Sequence, residues 1–596
     1  MLTNFGRDAK RKQFQFSAVI VLLFIIIVIR FFYLQIYKKA QYLKASENNR
    51  IREIVLEPTR GLIFDRNGKI LVDNHPSYSV NIIPFEIDKT DTVITLVSKI
   101  LQMEPEEIWE TINKKKTGYF TPVKLKRQID FETLSKIEEN RMYLPGISYQ
   151  IEPRRNYPSD IRASHLLGYL GEITREDLAN NAFKGLRTGD IVGKKGLERV
   201  YDKTLRGVKG YRYVEVDALG REVKKLTDKK EVPPQPGKNL HLTIDVNLQK
   251  SLEISMENMR GGAIVVDCAN GEVLAMVSKP DYDPELFSKL ITQEKWAGLL
   301  NDPEKPLYDR LVQSLYPPGS TYKLVVAAAA LEERKIRTWD TTFCSGSYLF
   351  GKETFQCWKQ EGHGRIDLLG AIEQSCNVFF YKLGRKIGLD NWITYSKNLL
   401  FGIPTGIDLV DEKEGLVPDR KYLEKRYGKK WLPKGLIVNL SIGQGDLLVT
   451  PLQMVRLAMI IANEGKYPKL HLVRYIDDPI IKKNQWTKID TSRVIDISHK
   501  TFSIIKRGMY RVVNGEHGTA KAAYCRNVKV AGKTGTAENP HGDSHSWFIG
   551  FAPFDKPEIA VCVLVENGGS GGKTAAPIAG KIIKYFNIEK SNYAQH

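Results

Sequence analysis

Apolar residues are spread very unevenly along this chain. Every position from Ala18 to Ile29 is apolar, and after Arg30 the run resumes as Phe31-Phe32-Tyr33-Leu34. As a helix, the segment 14–36 spans about 34 Å, enough for a bilayer core of about 30 Å. Arg30 lies near its far end, where a long side chain can snorkel to the headgroups. The bulky residues around and beyond Arg30 offer no small-x-small cleavage site, so an uncleaved transmembrane anchor is expected at 14–36, after a short tail at 1–13. Residues 37–237 mix short strand-like and helical pieces. Within them, Arg60-Gly61-Leu62-Ile63-Phe64-Asp65-Arg66-Asn67-Gly68 ends in an Asn-Gly turn between apolar runs and predicts a hairpin. Pro233-Pro234-Gln235-Pro236-Gly237 marks a linker.

A second pattern begins near Asn239. His241 to Asp245 alternates as a strand. Ala263–Asp267 and Val273–Val277 flank an Asn270-Gly271 turn and predict a second hairpin. Trp547–Phe551 and Ile559–Val565 read as two more strands, and Ala575 to Phe586 as a last helix. Strands at both ends with helices between predict an α+β domain over 238–596, built around one antiparallel sheet.

Composition narrows the classes. Of 596 residues, 42% are hydrophobic and 27% charged, which excludes a disordered, collagenous or polytopic membrane chain. Six Cys exclude a disulfide scaffold. The net charge of +20 points to an anionic partner: nucleic acid, an anionic membrane surface or carboxylate-bearing substrates. No long Arg/Lys tract stands out, so nucleic acid is not the expected partner. Arg7, Lys10, Arg11 and Lys12 precede the anchor, against Lys38, Lys39 and Lys44 after it. That bias favours the N-terminus inside the cytoplasm and the bulk of the chain outside it.

The candidate chemistry starts at Tyr316-Pro317-Pro318-Gly319-Ser320-Thr321-Tyr322-Lys323. Pro-Pro-Gly breaks structure, and Ser320 is then an N-cap or first-turn residue before an Ala-rich helix. Spacing i, i+3 puts the Ser320 hydroxyl and the Lys323 amine on one face. A desolvated lysine of lowered pKa can take the serine proton, and the helix N-terminus favours a developing oxyanion. Fifty-five residues on, Ser375-Cys376-Asn377 precedes the apolar Val378-Phe379-Phe380-Tyr381, and Lys533-Thr534-Gly535-Thr536 closes the strand-like Val528–Gly532. Each motif has decoys. Ser503…Lys506 and Ser570…Lys573 repeat S-x-x-K without starting a helix after a breaker. Ser396-Lys397-Asn398 repeats S-x-N, and Lys116-Thr117-Gly118 repeats K-T-G in what reads as a surface turn.

The order S-x-x-K, S-x-N, K-T-G resembles the penicillin-binding serine acyltransferases. Ile442-Gly443-Gln444-Gly445 followed by Thr450-Pro451-Leu452-Gln453 is similar to another segment of that family. Arg60 to Gly68 resembles the signature of its class B N-terminal domain. The resemblance covers essentially the whole chain and is nearest the elongation type. It implies one membrane anchor, an elongated α/β pedestal over 37–237 and a β-lactamase-like transpeptidase domain over 238–596, with helices on both faces of the sheet. The implied activity is a serine-type D,D-transpeptidase, of the D-Ala-D-Ala carboxypeptidase class, acting on peptidoglycan stem peptides and acylated by β-lactams. In that scheme Ser320 is the nucleophile, Lys323 its base, Ser375 a proton relay and Asn377 a holder of the substrate amide. Lys533 supplies positive charge, Thr534 and Thr536 bind the terminal carboxylate, and Gly535 lets the substrate backbone approach. Backbone N–H groups of Ser320 and Thr536 form the oxyanion hole. The implied partners are the bacterial cytoplasmic membrane and a membrane-embedded glycan polymerase. A septal enzyme of the same class shares every catalytic residue. A serine β-lactamase lacks support, because no E-x-x-L-N-like segment follows the second motif. A non-catalytic sensor needs a signalling domain, and only 13 residues precede the anchor.

Cys344, Cys357, His363 and Cys376 form C-x12-C-x5-H-x12-C. Three thiolates and one imidazole complete a tetrahedral zinc set, but the intervals exceed those of zinc fingers. A Cys344–Cys357 disulfide beside a buried Cys376 and a surface His363 explains the spacing equally well. The resemblance implies zinc, in a structural role bracing the loop that presents Ser375 and Asn377. Cys268, Cys525 and Cys562 share no metal spacing; Cys268 and Cys562 are expected in the core.

Overall fold

The computed structural model describes residues 5–39, 51–87, 92–116, 122–179, 183, 185–186, 190–216, 222–225, 231–288, 291–428, 433 and 435–593. They form two compact units. The first comprises Met1–Pro58, Pro76–Glu152 and Val208–Gln235; the second comprises Thr59–His75, Pro153–Gly207 and Pro236–His596.

In the first unit the helix Phe5–Phe32 runs on through a π-helical turn, Tyr33–Tyr37. Its apolar side chains are exposed, and Phe14–Tyr37 is the one helix among the described residues long and apolar enough to cross a membrane. A small core gathers Val80, Ile82, Ile94, Val97, Ile108 and Ile112 beneath the helices Thr92–Leu101 and Pro105–Lys115. Separately, Ile51–Leu56 pairs antiparallel with Gly210–Val216. Of the second K-T-G, Thr117 and Gly118 lie outside the described residues.

In the second unit the expected hairpin forms: Ile63–Phe64 pairs antiparallel with the strand beginning at Ile70. Asp65 Oδ1 accepts from the Asn67 and Lys69 N–H groups, and Gly68 takes φ +86°, which glycine adopts without steric cost. The rest of the motif is structural. Glu198, fully buried, accepts from Arg60 Nε at 2.7 Å and Arg155 Nε at 2.8 Å, and Arg60 also pairs with Asp202 at 3.0 Å. Burial pushes the Glu198 carboxyl up, but Arg155 and Arg60 outweigh it and hold the group below its usual range. A Cβ on Gly61 would meet Lys238 O at 1.9 Å, so only glycine fits there. Arg66 reaches across to Glu272 at 3.2 Å.

The main sheet has five antiparallel strands in the order Val273–Lys279, Gly261–Asp267, Ile559–Val565, His545–Ala552, Ala531–Ala537. Its centre is buried on both sides, so Ile559–Val565 is apolar at every position rather than alternating. Helices Val246–Ser255 and Ala575–Tyr593 pack on each other and on the sheet, and Pro451–Ala462 packs on its middle strands. Two readings shift. The strand near His241, Asn239–Leu242, belongs to a different sheet, between Val473–Asp478 and Ile63–Phe64. The K-T-G residues lie inside the edge strand Ala531–Ala537 rather than closing an earlier one. Cys562 is buried in the sheet, and Cys268 is buried just after a strand.

Candidate active site

Pro317-Pro318-Gly319 leads into a 3-10 turn, Gly319–Tyr322, which runs directly into the helix Lys323–Glu332. Ser320 is therefore a first-turn residue, and its hydroxyl caps nothing. The turn is pinned from several sides. Gly319, at φ +54°, donates its N–H to Gly443 O at 2.9 Å, and a Cβ on Gly443 would lie 2.2 Å from Gly319 O. Thr321 Oγ1 donates to Pro318 O at 2.7 Å, and Trp547 Nε1 donates to Pro317 O at 3.1 Å. Thr450 and Gln453, from the segment after Gly445, form a capping box on the helix Pro451–Ala462.

Ser320 is half-buried and opens into a cavity of about 710 Å³ that Ser375, Asn377, Thr534 and Thr536 also line. Ser375 sits in the left-handed region, φ +55°, between the helices Leu368–Glu373 and Asn377–Asn398. That conformation turns the chain so that one hydroxyl meets two lysines. Lys323 Nζ, wholly buried, donates to Ser375 O at 2.8 Å and Asn377 Oδ1 at 2.6 Å and lies 3.3 Å from Ser375 Oγ. Lys533 Nζ, also wholly buried, donates to Ser375 Oγ at 2.9 Å and Thr534 O at 3.0 Å. Burial pushes the Lys323 amine down to about 8, against the opposite pull of Cys376 and Cys357. Burial, then the neighbouring Lys323, pushes Lys533 well below the usual lysine range.

The positive charge expected of Lys533 lies against Ser375, and Lys533 does not line the cavity. Gly535 faces the nucleophile turn: a Cβ there would meet Pro318 O, Thr321 Cγ2 and Trp547 Cβ, each at 3.0 Å. Glycine at 535 thus lets the edge strand press against the turn that carries Ser320. The decoys separate as well. Lys506 is spent on Ala462 O and Glu464, both at 3.1 Å, and Ser396 is buried against Tyr322. Ser570 and Lys573, however, line the same cavity as Ser320. So do Thr519 and Lys521, for which the sequence carries no motif.

Cys344, Cys357, His363 and Cys376 converge, their donor atoms all within 4.8 Å of one another. His363 Nδ1 lies 3.5 Å from Cys344 Sγ and 3.6 Å from Cys357 Sγ. The three cysteines are buried free thiols, so there is no Cys344–Cys357 disulfide. A hydrogen bond from Cys376, with help from His363, holds the Cys357 thiol well below its ordinary range. Three sulfur donors and one imidazole nitrogen within that span fit a tetrahedral zinc ion.

A serine at the head of a buried helix, two buried lysines on a shared hydroxyl and a K-T-G edge strand together define a serine acyltransferase site. Comparison with known proteins agrees. Residues 261–584 match the penicillin binding protein transpeptidase domain, and residues 55–242 match the penicillin-binding protein dimerisation domain. The peptidoglycan D,D-transpeptidase MrdA of Haemophilus influenzae is 33% identical, over 98% of this chain and 93% of that protein. The solved complex between penicillin-binding protein PBP2 and MreC from Helicobacter pylori aligns with a TM-score of 0.80 and 32% identity, covering 90% of this chain and 99% of that one. A solved structure described as the structural coordination of polymerization and crosslinking by a peptidoglycan synthase complex aligns at 0.68 and 28%, over 96% and 97%. This chain belongs to the penicillin-binding protein transpeptidase family, with the two-domain organisation of its PBP2 relatives.

Proposed function

We propose that this protein is a peptidoglycan D,D-transpeptidase that cross-links stem peptides during cell elongation and is acylated by β-lactams. The convergence of Lys323, Ser375 and Lys533 behind the Ser320 turn carries the reading. Lys323, in its neutral form, takes the proton from Ser320 Oγ as that oxygen attacks the carbonyl of the penultimate D-Ala. Backbone N–H groups of Ser320 and Thr536 receive the oxyanion. The bond to the terminal D-Ala nitrogen then breaks, and Ser375 relays the proton held by Lys323 to the leaving amine, which leaves Lys323 neutral for the second half-reaction. Asn377 holds the substrate amide, and Thr534 and Thr536 hold the terminal carboxylate. The side-chain amine of a second stem peptide resolves the ester, restoring Ser320 and completing the cross-link. Water in place of that amine gives the carboxypeptidase reaction. The MrdA relatives favour the elongation reading over a septal enzyme.

The same reading covers the rest of the molecule. Residues 14–36 anchor the chain in the cytoplasmic membrane, with 1–13 inside and the 37–237 and 238–596 domains outside. Protease added to spheroplasts should then digest everything beyond the anchor, and protection of that part would reverse the orientation. A membrane-embedded glycan polymerase is the partner, consistent with the synthase complex among the structural relatives. Co-purification of the anchored chain with such a polymerase tests this, and separation in mild detergent would oppose it. Cys344, Cys357, His363 and Cys376 would hold a structural zinc ion bracing the loop that presents Ser375 and Asn377. Mass spectrometry of the penicillin adduct decides the central claim. The acyl group should sit on Ser320, and Ser320→Ala should abolish labelling in a folded protein; an adduct at another residue moves the nucleophile elsewhere.

A further inference from the structure

The two motif lysines leave a charge deficit at the cavity wall. Lys533 is spent on Ser375 and on the Thr534 carbonyl, and neither it nor Lys323 lines the cavity. A stem peptide still brings a terminal carboxylate to Thr534 and Thr536, and neutral hydroxyls alone bind a carboxylate less strongly than cationic donors do. The structure supplies two other cations at that wall.

Each threonine is held by a segment that carries a lysine two residues further on. Thr534 Oγ1 shares a 2.9 Å hydrogen bond with Thr519 Oγ1, and Lys521 follows. Thr536 Oγ1 accepts from the Gly571 N–H at 3.3 Å, and Lys573 follows. The two segments are clamped to the edge strand and to each other by close backbone packing. A Cβ on Gly571 would meet Gly535 O at 2.4 Å, and a Cβ on Gly572 would meet Thr519 O at 2.5 Å. Lys521 and Lys573 are exposed, line the cavity, and make no ion pair or side-chain hydrogen bond among the described residues. Among the described residues the one acidic side chain lining the cavity is Glu538, which lies two residues beyond Thr536 and leaves these three groups net positive.

We infer that Lys521 and Lys573 are specificity-determining residues that draw the donor's terminal carboxylate onto the Thr534 and Thr536 hydroxyls. The Ser570…Lys573 spacing, a decoy for the nucleophile, thereby belongs to the site as part of its substrate-recognition wall. The inference rests on the transpeptidase reading.

The test compares acylation of the full-length chain in detergent by benzylpenicillin and by its methyl ester, which lacks the carboxylate charge. For the Lys521→Gln/Lys573→Gln variant, the second-order acylation rate with benzylpenicillin should fall roughly tenfold, a modest loss because both charges are screened by solvent. The rate with the ester should stay within twofold of the parent, and the salt dependence seen with the acid should flatten. Lys521→Arg/Lys573→Arg should restore both. An equal loss with both compounds would make the lysines merely structural, and no loss with the acid would remove them from recognition; either result overturns the inference. If the unaltered chain forms no adduct at Ser320, the transpeptidase reading itself fails, which is a different outcome.

Discussion

Ser375 is the most informative residue to change, because its hydroxyl and its backbone do separate things. Ser375→Ala removes the oxygen that accepts from Lys533 at 2.9 Å and faces Lys323 at 3.3 Å. Lys533 keeps Thr534 O, and Lys323 keeps Ser375 O and Asn377 Oδ1, so neither amine is wholly orphaned. The stability cost is therefore at the low end for a lost buried hydrogen bond, about 1–2 kcal/mol. The kinetic cost is larger if the hydroxyl relays a proton: about 10²–10⁴ in rate, or about 3–5 kcal/mol of barrier. Ser375→Gly loses the same hydroxyl but relieves the φ of +55°, so it should be more stable than Ser375→Ala by about 1 kcal/mol. The assay pairs the rate of acylation by a fluorescent penicillin with urea unfolding of the same preparations. Both variants should be equally slow and unequally stable. Acylation within threefold of the parent, or a glycine variant faster in proportion to its stability, would refute the relay.

Acylation should also depend on pH in a defined direction. Lys323 must be neutral to take the serine proton, and its amine is pushed down to about 8. The rate should rise about tenfold per pH unit below that point and level off above it; a flat profile between pH 6 and 9 would contradict the assignment. Because Lys533 shares the same hydroxyl, the apparent value belongs to the pair. Both folded-state values lie below that of an unfolded lysine. The unfolded chain therefore binds more protons from about pH 8 to 10.5, and stability should increase with pH across that window. The purified ectodomain should contain about one zinc per chain by elemental analysis, and strong chelation should lower its melting temperature. A metal-free preparation of unchanged stability would remove the ion.

The sequence conveys chemistry where local rules and chain order coincide. Pro317-Pro318-Gly319 before an Ala-rich run marks a helix start, and the three motifs in order mark an acyltransferase. Tertiary direction is another matter. That Lys533 turns toward Ser375 follows from where the loop after Leu368–Glu373 places a residue at positive φ, and no spacing encodes it. Gly535, lying between two threonines, reads as a residue that admits the substrate; the atoms that would crowd a side chain there come from Pro318, Thr321 and Trp547, two of them over 200 residues upstream. The zinc and disulfide alternatives are equal on spacing, and no interval in the sequence tells that all four donor atoms lie within 4.8 Å of one another. His241 shows the limit of period-two patterns: alternation identifies a strand but not its sheet.

Two buried lysines and one serine form an arrangement whose cost explains its precision. Each ammonium taken from water is strongly penalised unless it is hydrogen-bonded, and like charges sharing a site cannot both remain ionised. Placing Lys533 beside Lys323 therefore drives the pair toward losing a proton, which is the state a general base requires. A single lysine with a carboxylate partner would be held charged and would be a poor base. The groups that accept from the two amines are all neutral (Ser375, Asn377 and the Thr534 carbonyl), and the opposing coulombic pull on Lys323 comes from the more distant cysteines. A metal ion bound by those thiolates would neutralise part of their negative charge and weaken their pull on Lys323. Bracing of the loop and tuning of the base thus become separable effects: the first should appear in stability, the second in the pH at which acylation levels off.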